Sequence, residues 1–125
     1  MTRTLLTHTI EVVLDDPAEI ERWTKTLEVL DEVSAERKRQ VEKWGVQHHR
    51  DGTGGPGTKA VADIARRITD LAADKDETSW QMILAEEVYE AFAESDPDKL
   101  RVELVQVAAV AASWIEDIDS RGEGT

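Results

Sequence analysis

Glutamates stand at positions 86, 87 and 90, and after twelve intervening residues Glu103 and Gln106 repeat the spacing of three. On a helix, residues three apart project from one face about a turn apart, so Glu87 and Glu90 form one such pair, and Glu103 and Gln106 another. A break at Ser95-Asp96-Pro97 separates the two segments. Folded as an antiparallel hairpin, they bring three or four carboxylates and one amide into the gap between them. Carboxylates held that close repel and raise one another's pKa unless a cation neutralises them. Oxygen-only ligands suit a hard ion such as Mg²⁺ or Mn²⁺, which keeps several waters and bridges to phosphate. The alternative is a solvated helix face, because Glu is a good surface helix former.

The elements that must position this pattern read as helices. Thr78-Ser79-Trp80-Gln81 is a capping box that starts the first motif helix, whose Leu84, Val88 and Ala91 face a core. Glu94, a turn beyond Glu90, is peripheral to the pattern. Asp96-Pro97 starts the last helix, which runs to about Asp119. Leu100, Leu104, Val107, Ala108, Ala111, Ile115 and Ile118 make one apolar stripe, and Val102, Val105, Ala109 and Ala112 cover the other side. A helix apolar on every side is buried on every side. In a chain of 125 residues that calls for another subunit, so the expectation is a homodimer or homotetramer.

Upstream, Asp16, Pro17 and Glu19 start an amphipathic helix that carries Ile20, Trp23, Leu27, Leu30, Val33, Val41 and Trp44. Gly45 is its natural C′ residue, and a break is expected near Ser34, where the stripe is weakest. Thr58 is expected to cap a helix to about Asp74 with Val61, Ile64, Ala65, Ile68 and Leu71 buried. Arg66 and Arg67 lie off that stripe and read as surface charges. Residues 4 to 14 alternate loosely and predict a short N-terminal β-strand that pairs with another subunit. His8, inside that run, reads as a packed or edge side chain. The fold class expected is therefore all-α, an antiparallel helical bundle of about four helices in a single domain over 1–125, with residues 1–15 as an arm and 120–125 as a mobile tail.

Residues 46 to 57 form a loop dense in Gly, His and polar side chains. Gly52 to Lys59 nearly spells a P-loop, but its Thr and Lys are reversed and a helix, not a strand, precedes it. The P-loop reading is rejected; a flap over a site or an ordinary linker remains. His48 and His49 are adjacent and point different ways, so they do not share an ion. Trp23, Trp44, Trp80 and Trp114 read chiefly as core or interface residues, with Trp44 and Trp80 best placed to stack on a base.

Composition narrows the classes further. There is no cysteine, which excludes disulfides, thiolate metal sites and cysteine nucleophiles. A formal charge of −12 argues against a nucleic acid polymer as partner, though not against a nucleotide met through divalent cations. No signal peptide is legible at the start, and the longest nearly apolar run is interrupted by Glu103 and Gln106. The expectation is a cytoplasmic protein without a membrane span.

Glu86, Glu87, Glu90 and Glu103, with a spacer of this size, resemble the Glu-Glu-x-x-Glu and Glu-x-x-Asp motif of the MazG-type all-α nucleoside triphosphate pyrophosphohydrolases. Gln106 departs from that pattern, since the family normally has Asp there. The strict resemblance covers about 35 residues, from Trp80 to Trp114. Lys43-Trp44-Gly45 through Gln47, His49, Asp51 and Gly52 also looks like actinobacterial and phage MazG-like proteins. The resemblance implies Mg²⁺-dependent hydrolysis (Mn²⁺ as substitute) of a nucleoside triphosphate to nucleoside monophosphate and pyrophosphate. It implies Glu86, Glu87, Glu90, Glu103 and Gln106 around the metal, with Glu86 or Glu87 orienting the attacking water. It points to Lys43, Trp44, Gln47, His49 and Asp51 for substrate binding, and Trp80 joins them by its position just before the acidic pattern. Two rival readings stand beside it: a nucleotide-binding or regulatory relative with little turnover, and a purely structural helical oligomer.

Overall fold

A computed structural model of the protein describes residues 3–6 and 11–123, with side-chain surroundings for residues 15–122. It is all-α in its main body, with four helices: α1 (Pro17–Trp44), α2 (Thr58–Asp74), α3 (Trp80–Ala93) and α4 (Pro97–Glu123). These helices fall into two compact units, one of Met1–Val46 with Glu116–Thr125 and one of Gln47–Ile115.

In the first unit the expected single strand is two. β1 (Arg3–Leu6) and β2 (Glu11–Leu14) pair antiparallel, with Arg3 opposite Leu14 and Leu6 opposite Glu11. The chain thus supplies its own strand partner, satisfying backbone groups that the sequence reading assigned to another subunit. His8 lies outside the described residues. Asp16 caps α1, its carboxylate accepting from the Ala18 N–H at 2.9 Å, and Pro17 occupies the first turn. At the far end Gly45, at φ 72°, donates its N–H to the Val41 carbonyl. The break expected near Ser34 is absent: α1 runs 28 residues unbroken, about 40 Å. Weak apolar patterning does not stop a helix whose residues there, such as Ala35, Glu36 and Arg37, are good helix formers. Thr26 donates to Glu116 Oε1 at 2.8 Å, tying α1 to the last turns of α4. The helix α4 continues to Glu123, past the expected end at Asp119; residues 124 and 125 lie outside the described residues.

The second unit carries the acidic pattern. Here α2 and α3 are the most closely packed helices. The buried face of α2 is not the one expected. Ala62 and Ala72 are buried, with Ala65 and Thr69 half-buried between them, whereas Val61, Ile64, Ile68 and Leu71 are exposed by 44–58%. Both rows have helical spacing and are offset by one residue. The alanine row wins because small side chains let the backbones approach, close enough for Thr69 Oγ1 to reach the Met82 carbonyl of α3 at 3.4 Å. Thr58 is likewise not the cap. Gly57, at φ 82°, precedes the helix, and Thr58 Oγ1 donates back to the Gly55 carbonyl at 2.7 Å. Ser79 caps α3 as expected, accepting from the Met82 N–H at 3.2 Å, and Asp96 starts α4, accepting from Asp98 N–H. The loop before α2 is anchored rather than free. Gly54, at φ 75°, donates its N–H to the Phe92 carbonyl at 2.8 Å, near the end of α3.

Candidate metal centre

Helix α3 presents Glu86, Glu87 and Glu90, and α4 presents Glu103 and Gln106, all within the second unit. The short turn of Glu94, Ser95 and Asp96 sends α4 back along α3, so residues equally far from the turn meet. Glu87, Glu90 and Glu103 converge: one carboxylate oxygen from each lies within 4.8 Å of the others. All three side chains are half-buried. That spacing fits a hard divalent ion, whose ligand oxygens sit about 2 Å from the metal and about 3 Å from each other, after a small closure of the side chains.

Burial and neighbouring carboxylates raise two of the carboxyls on α3. The Glu87 carboxyl is pushed up from the ordinary glutamate range by burial, and further by Glu90, Glu103 and Glu86. The Glu86 carboxyl is also raised, by burial and by Glu90 and Asp70, with Arg66 acting the other way. Glu86 is outside the three-carboxylate group and faces α2, where Arg66 Nε lies 3.7 Å from its Oε1. The same guanidinium donates from Nη2 to Glu90 Oε1 at 2.7 Å. Arg66 is thus partly exposed, as a surface charge would be, yet paired with the centre of the acidic pattern. No local spacing signals this, because 24 residues separate it from Glu90.

Gln106 enters as a donor. With its amide nitrogen turned toward the surrounding acceptors, it donates to Glu87 Oε2 at 3.2 Å and to Glu103 Oε2 at 3.1 Å. The amide therefore bridges two carboxylates that repel each other, a task an aspartate in its place could not perform while ionised. A pocket of about 400 Å³ opens beside the cluster, with Lys59, Asp63, Arg66, Glu90, Glu94 and Glu103 in its wall. Two cations and four carboxylates share that wall, which suits a ligand carrying both phosphate and a divalent ion.

The residues expected to touch substrate are distributed differently. Lys43 and Trp44 belong to the first unit, where the Lys43 ammonium sits 4.9 Å from the Trp44 ring centroid. Gln47, His49 and Asp51 are exposed on the loop of the second unit, and His49 Nε2 is 3.2 Å from Gln47 Oε1. None of these three is in the wall of the acidic pocket. Trp80 is half-buried at the first turn of α3. Apolar hollows lie elsewhere on α3: one of about 270 Å³ between Pro56, Val61, Tyr89 and Phe92, and one of about 310 Å³ that includes Trp114. Among the described residues, no helix is long and apolar enough to cross a membrane. Comparison with protein-family models, with curated proteins and with solved structures gives no match to this chain.

Proposed function

We propose that the protein is a Mg²⁺-dependent nucleoside triphosphate pyrophosphohydrolase of the MazG-like kind, cleaving between the α and β phosphates to release nucleoside monophosphate and pyrophosphate. The observation that carries this reading is the convergence of Glu87, Glu90 and Glu103 beside a pocket walled by Lys59 and Arg66. Glu87, Glu90 and Glu103 would hold Mg²⁺, or Mn²⁺ in its place; when bound, the ion supplies charge neutralisation on the phosphates and acidifies a water. Gln106 orients Glu87 and Glu103 through its amide N–H groups. Glu86 is left outside that ligand group, and its raised pKa brings it closer to neutral pH. It accepts the proton of the water that attacks the α phosphorus as the bond to the bridging oxygen breaks. Lys59 and Arg66 offer cations to the phosphate oxygens.

Incubation with each ribo- and deoxyribonucleoside triphosphate, with Mg²⁺ or Mn²⁺, should release pyrophosphate from at least one of them. Absence of pyrophosphate from every one overturns the enzyme reading. The neutral Gln106 favours a second reading, a nucleotide-binding relative with little turnover, because an amide brings no charge to the ion. Mg²⁺-dependent nucleotide binding without pyrophosphate release selects it.

The protein in this proposal is a cytoplasmic homodimer or homotetramer. Exposed apolar side chains on α2 and on α4, where Val102, Leu104 and Val105 are 50–56% exposed, support a further subunit. So does the absence, among the described residues, of any large side chain that is fully buried. Sedimentation at micromolar concentration that shows only the 14.0 kDa species rules the oligomer out.

A further inference from the structure

Arg66 makes a contact that the phosphate role given to it above does not require. A cation needed only for phosphate has no reason to be bonded to a metal ligand. Yet its guanidinium is committed to Glu90 at 2.7 Å, with Glu86 at 3.7 Å, and so bridges α2 to the acidic face of α3. Glu90 is also one of the three carboxylates that converge. Its Oε1 is therefore paired with a positive charge, on the same carboxylate that a divalent ion would use. Half of the Arg66 side chain is exposed, so it can swing away without leaving a buried charge unpaired.

We infer that Arg66 is a resident counter-ion of the metal-free site and sets the concentration of divalent ion at which the site fills. This rests on the metal-site reading above. In the metal-free protein the guanidinium offsets part of the repulsion among Glu86, Glu87 and Glu90. Entry of a divalent ion then requires loosening the Arg66–Glu90 contact and placing two like-signed groups near one another. Both effects weaken metal binding. The same charge keeps the carboxylates gathered while no metal is present, which a site lacking Arg66 would achieve less well.

The test is Mn²⁺ binding to the full-length protein without nucleotide, measured by calorimetry or by the electron spin resonance of free Mn²⁺. Arg66→Gln should bind Mn²⁺ about fivefold more tightly than wild type, the scale expected for removing one screened charge near a divalent ion. Arg67→Gln makes the same change in net charge at the exposed neighbouring position and should stay within about twofold of wild type. Where wild type binds saturably but Arg66→Gln binds equally or less tightly, the counter-ion role is wrong and the metal site stands. Equal tightening by Arg67→Gln also overturns it, by showing a general charge effect. If neither wild type nor Arg66→Gln binds Mn²⁺ saturably, the metal-site reading fails and this inference falls with it. Arg66→Lys keeps the helix and the charge but replaces the planar fork by a hydrated ammonium. It should fall between wild type and the Gln variant, and serves alone if the Gln variant does not fold. An affinity no higher than wild type counts against the role.

Discussion

The two neighbours of α3 meet it through opposite chemistry. Toward α2 lie alanines and a threonine, Ala62, Ala65, Thr69 and Ala72, and the backbones come close. Toward α4 lie Glu87 and Glu90 against Glu103 and Gln106, polar side chains bridged by one amide. The first contact is complete as it stands, since it removes apolar surface from water and leaves no charge unpaired. The second gathers like charges that one amide and Arg66 offset only in part.

Breaking the polar side should have the largest effect on activity. Glu90→Gln removes a charged ligand and the partner of Arg66, and should lower the rate of pyrophosphate release about 100-fold or more while the helical circular dichroism is kept. Unchanged activity would show that the convergence of carboxylates is incidental. Breaking the apolar side should affect the fold instead. Ala72→Leu forces three more carbons into a position that is 7% exposed and should cost about 1–3 kcal/mol in urea unfolding. If the variant is as stable as wild type, the alanine row is not the packing face.

A finer contrast comes from Gln106. Gln106→Asp replaces the amide donor by a fourth carboxylate, so the metal-free protein should lose stability while half-maximal activity is reached at about three- to tenfold lower Mg²⁺. Loss of nucleotide affinity with no change in Mg²⁺ dependence would assign the amide to the substrate. The smallest effect is on pH dependence. With the Glu86 and Glu87 carboxyls raised in the folded protein, the native state binds more protons than the unfolded one just above the ordinary glutamate range. Their contribution to stability is full below that range and is lost as pH rises through the raised values. Glu87→Gln should therefore raise the thermal midpoint of the metal-free protein at pH 7 by about 2–5 °C and flatten its decline from acid to neutral pH. Wild type saturated with Mg²⁺ should show the same flattening. A midpoint that falls on substitution would mean that Glu87 is held by favourable contacts.

The helices and most of their ends were legible because caps are local. Asp16, Gly45, Ser79 and Asp96 each act within four residues of themselves. The convergence of Glu87, Glu90 and Glu103 was legible for a related reason, since a short turn between two helices leaves one way to fold back. The buried face of α2 was not. Val61, Ile64, Ile68 and Leu71 carry the stronger apolar signal, yet the weaker row beside them is buried, because close approach depends on small size rather than hydrophobicity. Arg66 was missed because ion pairing across 20 or 24 residues leaves no periodic trace. Gln106 was read from its position as a ligand lacking charge; its neighbours show that an amide can also give protons to the ligands around it.

The bond from Gly54 to Phe92 divides the connection between α1 and α2 into two stretches that should tolerate lengthening differently. Phe92 is in the last turn of α3, where carbonyls lack partners within the helix, and Gly54 supplies one from 38 residues away. A side chain at position 54 has no room, since its Cβ would stand 2.7 Å from that of Ser95. Before the tether, residues 45–52 are exposed, so extra residues there can bulge into water. After it, only Gly55, Pro56 and Gly57 span the distance to α2, and one added residue must either displace the tether or rotate the start of α2. The spacing from Gly54 to Thr58 thus works as a ruler that fixes where around its axis α2 begins, and with it the direction from which Arg66 reaches α3.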